Sequence, residues 1–191
     1  MRKTKIYALM ITLSLLSGCG QDNNPEQLAL DIRSSYLSCN TFSAHACLTA
    51  DYGQRVYSYE MDVLAQDDTT TLTLTQPEYA AGITACIKDG ESSLTYQDIS
   101  VETGTLDPNG LTPVSAIPAL LESARSGFIT TCFLEESGLL RVDCGSPDVP
   151  IGTGTQTTLW FQPVASTLVQ GDILVDGIRR ITCTFSQVTK E

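Results

Sequence analysis

The sequence predicts an α+β fold in which antiparallel β-hairpins form a sheet, packed against an N-terminal helix and one or two further helices. Two segments, near residues 25 and 115, combine helix-starting residues with apolar side chains at helical spacing. Much of the chain from residue 55 onward is rich in threonine and alternates apolar and polar residues. Turn dipeptides such as Asp176-Gly177 divide these alternating segments and favour hairpins.

The first helix is predicted over residues 25–38. Asn24 is a favourable N-cap, Pro25 fits the first helical position, and Glu26 places a negative charge near the positive end of the helix dipole. Leu28 and Ile32 follow at helical spacing, so one face of this helix is expected to pack on the core.

Strand character begins at residue 55. Residues 55–76 alternate on both sides of a polar turn and predict a β-hairpin, and residues 94–101 predict a further strand. Between them, Pro77 is followed by acidic and alanine residues, which predicts a helix that carries Cys86 into the core.

A further helix is predicted over residues 115–125, and Gly127 is expected to end it in a left-handed conformation. Residues 145–156 are rich in proline and glycine and are interpreted as a plain loop, because their glycines do not form a phosphate-binding motif. The remaining predicted strands and hairpins cover residues 128–144, 158–162 and 168–188.

The amino terminus has the layout of an export signal. Basic residues within the first five positions precede an apolar run, Ile6–Leu16, of about eleven residues. This run is shorter than the roughly twenty residues that a membrane-spanning helix needs and has the length of a signal-peptide core. The run ends in Leu16-Ser17-Gly18-Cys19, which resembles the lipobox of bacterial lipoproteins.

The lipobox resemblance implies cleavage before Cys19, diacylglyceryl transfer to the sulfur of Cys19 and acylation of its new amino group. It divides the chain into a cleaved signal peptide (1–18), a lipidated tether (19–24) and one globular domain (25–191). The resemblance also implies sorting to the outer membrane, because Gly20 stands where an aspartate would favour retention in the inner membrane. The domain would then lie in the periplasm or at the cell surface.

Charge limits the choice of partners. Removal of residues 1–18 leaves eight basic and 22 acidic residues, a net charge of −14. Such a surface is repelled by phosphate backbones and by anionic lipid headgroups, which argues against nucleic-acid binding and against attachment to a membrane by charge. Membrane attachment is therefore expected through the N-terminal lipid alone.

An even number of cysteines remains beyond Cys19, and oxidising compartments preserve disulfides. The sequence therefore predicts a domain stapled by three bridges, with Cys39 and Cys47 as the first-choice pair. The other four allow two arrangements of similar merit, Cys132 with Cys144 and Cys86 with Cys183, or Cys86 with Cys132 and Cys144 with Cys183.

No metal site or cofactor is expected. The chain has no C-x-x-C pair, and His45 is its only histidine. A Ser-His-Asp arrangement would have to use His45, and no G-x-S-x-G elbow is present. The sequence therefore favours a protein that is not an enzyme.

Two functional hypotheses follow from these features. The first is a lipid-anchored envelope protein that acts through protein contacts, as an assembly, secretion or surface accessory with an envelope protein as partner. The alternative is a small-ligand-binding or enzyme-inhibitor module tethered to the outer membrane. Trp160 and Phe161 are neighbours on a predicted strand and must face opposite ways, so an exposed aromatic there is the best candidate for a partner contact.

Overall fold

Eleven antiparallel strands and two α-helices form the part of the protein that the computed structural model describes, residues 24–191. The predicted signal peptide and Cys19 lie outside the described residues. The helices are α1 (Pro25–Leu37) and α2 (Pro113–Ser126), with a short 3₁₀ helix at Glu78–Ala80. The strands are β1 (Thr41–Asp51), β2 (Val56–Gln66), β3 (Thr69–Gln76), β4 (Thr84–Lys88), β5 (Glu91–Tyr96), β6 (Ile99–Thr105), β7 (Phe128–Leu134), β8 (Leu140–Gly145), β9 (Thr155–Gln162), β10 (Thr167–Val175) and β11 (Ile178–Lys190).

The strands form one sheet in the order β6-β5-β4-β3-β2-β1-β11-β10-β9-β8-β7. Two meanders meet where β1 pairs with β11, so we call β1 to β6 the N-terminal wing and β7 to β11 the C-terminal wing. The backbone N–H groups of Asn40 and Thr41 both donate to the carbonyl of Glu191, which extends this central seam to the end of β11.

Both helices pack on the inner face of the C-terminal wing. Helix α1 contacts β7 and β8, α2 contacts β9 and β10, and the two helices contact each other. Tyr36 of α1 is 1% exposed, and its hydroxyl accepts a hydrogen bond of 2.8 Å from the backbone N–H of Leu168 on β10. Burial raises the pKa of the Tyr36 hydroxyl above its ordinary value, so this group stays neutral beneath the helix.

Local sequence rules explain the helix boundaries. The Asn24 side chain accepts a hydrogen bond from the Glu26 N–H, as predicted, and Thr112 and Ser115 cap α2 reciprocally. The left-handed cap expected at Gly127 is wrong, because its φ is −54°. Glycine is needed there for space, since a Cβ would lie 2.6 Å from the Ser123 carbonyl oxygen.

The predicted hairpins at residues 55–76 and 128–144 and the Asp176-Gly177 turn are confirmed. The helix predicted after Pro77 is wrong: only the three-residue 3₁₀ helix forms, and Cys86 lies exposed on β4. A bridge between Cys39 and Cys47 would require the chain to turn around residues 40–43, but β1 begins at Thr41 instead. The buried residues of β1 alternate along it, and three of them are alanines that give little strand signal: Phe42, Ala44, Ala46, Leu48 and Ala50.

The predicted disulfide staples are not formed in this structure, where the six domain cysteines are free. Cys39 precedes β1 and Cys47 lies in its middle, so about 20 Å of extended strand separates Cys47 from the start of β1. Cys132 lies opposite Val142, so Cys144 is only its diagonal neighbour, typically about 7–8 Å away and beyond disulfide reach.

The other predicted pairs lie on strands that are not neighbours. Two strands separate Cys144 from Cys183, and three separate Cys86 from Cys183. Cys86 and Cys132 lie in different wings. Burial raises the pKa of Cys144 to about 11, so its free thiol stays protonated at neutral pH.

Candidate functional site

The inner face of the N-terminal wing carries an apolar stripe that runs across four strands. Met61 on β2 pairs with Leu74 on β3. Two residues away on β3, Leu72 pairs with Ala85 on β4, and Ala85 in turn pairs with Leu94 on β5. Because alternate residues of a strand share a face, these cross-strand pairs place their side chains on one continuous surface.

This stripe forms the floor of an apolar groove of about 320 Å³. The 3₁₀ helix and the first turn of α2 form the sides of the groove. The groove is open because the two α-helices pack mainly on the C-terminal wing and do not cover this face. The volume is within the range of small-molecule sites. The groove is lined by Tyr59, Met61, Leu72, Leu74, Tyr79, Ala80, Ile83, Ala85, Leu94, Pro113 and Val114.

Two tyrosines supply the polar atoms of the groove side chains. Tyr79 on the 3₁₀ helix is 88% exposed, whereas Tyr59 on β2 is half-buried. Burial raises the pKa of the Tyr59 hydroxyl above its ordinary value, with smaller contributions from the nearby Tyr79 and Tyr57. Both the hydroxyl and the groove around it are therefore uncharged at neutral pH.

The lining of the groove suits binding rather than bond chemistry. It contains no carboxylate, amine, imidazole or thiol that could act as a nucleophile or move a proton. A charged ligand group placed inside would lose its hydration without gaining a partner, which is costly. An uncharged hydrocarbon would bind favourably there, because moving its apolar surface from water into the groove lowers the free energy.

The aromatic pair predicted as a partner contact lies in the C-terminal wing and does not line the groove. Phe161 is 2% exposed and packs edge-on against Tyr36, with ring centroids 5.7 Å apart. Trp160 faces the other way, as the strand alternation predicted; its Nε1–H donates to Glu135 at 2.9 Å. The Arg141 guanidinium lies 5.4 Å from the Trp160 ring, so this face of the indole is already covered.

The groove was not predicted from the sequence. The alternation of residues 55–76 predicted the hairpin that carries Met61, Leu72 and Leu74. Whether those side chains meet a helix or open space depends on where α1 and α2 pack, and no local pattern reports that. Within residues 24–191, no α-helix has the length and apolar character needed to cross a bilayer.

No family model and no curated protein matches this chain. Among solved structures, it is similar to an uncharacterized conserved protein from Thermus thermophilus, with a TM-score of 0.51, 11% identity and 87% of each chain covered. It is also similar to a DUF1329 family protein from Desulfovibrio piger, with a TM-score of 0.51, 8% identity, and 87% of this chain and 92% of that chain covered.

A LolA superfamily protein from Nitrosomonas europaea aligns over 87% of this chain and 93% of its own, with a TM-score of 0.46 and 10% identity. At the identities of the first two matches, the likeness concerns the fold and not the site. The chain therefore shares its overall fold with the proteins from Thermus thermophilus and Desulfovibrio piger.

Proposed function

We propose that this chain is a lipid-anchored protein of the bacterial envelope that binds a single alkyl or acyl chain in the groove of its N-terminal wing. The observation that carries the proposal is the groove itself: about 320 Å³, lined by aliphatic and tyrosine side chains and by no charged residue. It favours the ligand-binding hypothesis over protein contacts as the primary role. The absence of acid, base or nucleophile from this lining supports binding without catalysis.

The groove also indicates how such a ligand would lie. The hydrocarbon occupies the floor over Leu72 and Ala85, where each buried methylene contributes about 0.8 kcal/mol. The polar end of the ligand stays at the mouth beside Tyr79, the most exposed of the lining residues with a hydroxyl. The net negative charge of the chain argues against a headgroup with several negative charges.

A chain-length series tests this function. We expect saturated fatty acids to displace a fluorescent naphthylamine probe from the protein, with affinity rising about fourfold for each added methylene until the groove is filled. Dicarboxylic acids of the same length are the matched control, because their second carboxylate would have to enter the groove unpaired. Equal affinity across the series, or equal binding of the dicarboxylic acids, would contradict the proposal.

The anchor is proposed from the lipobox resemblance. We expect the wild-type chain, produced in a bacterium, to enter the detergent phase on Triton X-114 partitioning, because more than one acyl chain gives stable membrane attachment. The Cys19→Ser variant should carry no acyl chain and keep its signal peptide, and should therefore run at the precursor mass. Partitioning of this variant with the detergent at the mature mass would refute acylation at Cys19.

Contact with an envelope protein is a second candidate function. It is supported by β6, an edge strand with all seven residues exposed, including Ile99 at 69% and Val101 at 57%. An exposed edge of this kind offers unpaired backbone groups to a strand of another protein.

A further inference from the structure

Four side chains of complementary chemistry meet on the outer face of the sheet, on strands β1 and β2. His45 pairs with Asp62 across the two strands, and Cys47 pairs with Glu60. Because residues two apart on a strand share a face, these four form the corners of one patch. The β1 and β2 ladder runs from Thr41 to Asp51 without a bulge, so the backbone that holds the patch is regular.

The patch and the groove lie on opposite faces of β2. Met61, between Glu60 and Asp62, points into the groove and is 2% exposed, whereas its two neighbours point outward. The side chains of His45 and Glu60 are 26% and 49% exposed, so a dissolved ion can reach both. The patch is therefore independent of the proposed ligand site.

The ligand atoms are already close together. One atom each from His45, Cys47 and Glu60 lie within 4.8 Å of one another. His45 Nε2 is 3.8 Å from Glu60 Oε2. Tetrahedral zinc holds its ligand atoms about 3.5 Å apart. Side-chain rotations that move these three atoms by about 1 Å would therefore bring them to the distances that a zinc ion needs.

Asp62 gives the imidazole the orientation that a metal ligand needs. His45 Nδ1 and Asp62 Oδ1 are 2.9 Å apart, which fits donation of the Nδ1–H to the carboxylate. In the neutral imidazole, that hydrogen bond makes Nε2 the ring atom available to a metal, and Nε2 is directed toward Glu60. Histidines that bind metals commonly donate their other ring N–H to a carboxylate in this way.

We infer that β1 and β2 carry a binding site for a divalent transition metal ion, represented by Zn²⁺. His45 Nε2, Cys47 Sγ and a Glu60 carboxylate oxygen are the ligands, and Asp62 is the positioning residue. A nitrogen, a thiolate and one carboxylate suit zinc and its neighbours better than calcium or magnesium, which prefer oxygen alone. Three protein ligands at an accessible surface leave the fourth position open to water.

This inference replaces the expectation of no metal site. That expectation was based on the single histidine and on the lack of a C-x-x-C pair, a motif whose two ligands are close in sequence and therefore close in space. Here the ligands come from two strands, and the pairing of His45 with Asp62 and of Cys47 with Glu60 supplies the proximity.

Cobalt binding tests the site. The full chain in detergent, with a phosphine reductant to keep thiols free, is titrated with Co²⁺. We expect one equivalent to produce a thiolate-to-cobalt charge-transfer band in the near ultraviolet, and Zn²⁺ to abolish it by displacement. A titration without this band would overturn the inference.

Variants assign the ligands. Cys47→Ser should lose the band, and Asp62→Asn should keep it with a 10- to 100-fold weaker affinity. Cys86→Ser is the matched control, since Cys86 is also an exposed strand thiol but lies on β4, away from the patch; its band should equal that of the wild type.

A band that survives in Cys47→Ser, or is lost in Cys86→Ser, would place the thiolate ligand elsewhere and refute the site. Thermal melts of each variant without metal provide the folding check, because the substituted side chains are largely exposed and should leave the midpoint unchanged. Zn²⁺ should raise the midpoint of the wild type and of Cys86→Ser but not that of Cys47→Ser. Equal zinc stabilisation of all three would also count against the inference.

Discussion

Replacing Ala85 with tryptophan is expected to lower the affinity for an alkyl chain by at least about 50-fold, the equivalent of losing three buried methylenes. Ala85 is 4% exposed and lies on the floor of the groove between Leu72 and Leu94. An indole at this position would occupy the space that the ligand needs. The probe-displacement titration with a long saturated fatty acid measures the effect.

Cys86→Trp is the matched control, because the next residue on β4 points to the opposite face and is exposed. This variant should bind the fatty acid as the wild type does. Thermal melts of both variants should show folded proteins, since the groove of about 320 Å³ that Ala85 lines has room for an indole. Unchanged binding in Ala85→Trp would mean that the alkyl chain binds elsewhere.

Replacing Leu120 with alanine is expected to lower the free energy of unfolding by about 2–5 kcal/mol. Leu120 is fully buried on α2, where the helix lies on the inner face of the C-terminal wing. Truncating its side chain leaves a cavity between the two layers. Urea unfolding followed by circular dichroism measures the loss.

Gly171 on β10 lies against Leu120, so a substitution there tests the packing of α2 on the sheet. A Cβ at Gly171 would lie 2.8 Å from Leu120 Cδ2, so Gly171→Ala should cost about 1–3 kcal/mol through overpacking. In the double variant the new methyl enters the cavity left by Leu120→Ala. We therefore expect the double variant to lose less stability than the sum of the single losses; strict additivity would show that the two residues do not touch.

Local chemistry explains what could be predicted from sequence. Asn24 and Pro25 predict the start of α1, and the Asp176-Gly177 dipeptide predicts the turn between β10 and β11, because each acts within a few residues. Strand β1 was missed because its inward positions are largely alanines, which fit a strand surface without marking one.

The properties of the site depend on contacts between distant segments. The groove exists because both helices pack on the C-terminal wing. The patch on β1 and β2 is closer in sequence, but it depends on the strand register that sets His45 opposite Asp62. The count of cysteines could not predict the bridges, because an even number says nothing about distance, and three strands lie between Cys86 and Cys183.

The central seam between β1 and β11 has a consequence for biogenesis. His45 and its neighbour across the seam, Ser186, are separated by 141 residues along the chain. Contacts between such distant segments form slowly, and in a chain synthesised from its amino end they cannot form before β11 has been made. The edge of β1 that pairs with β11 therefore stays unpaired until β11 has been made, and a chaperone that shields nascent strands would protect it from aggregation.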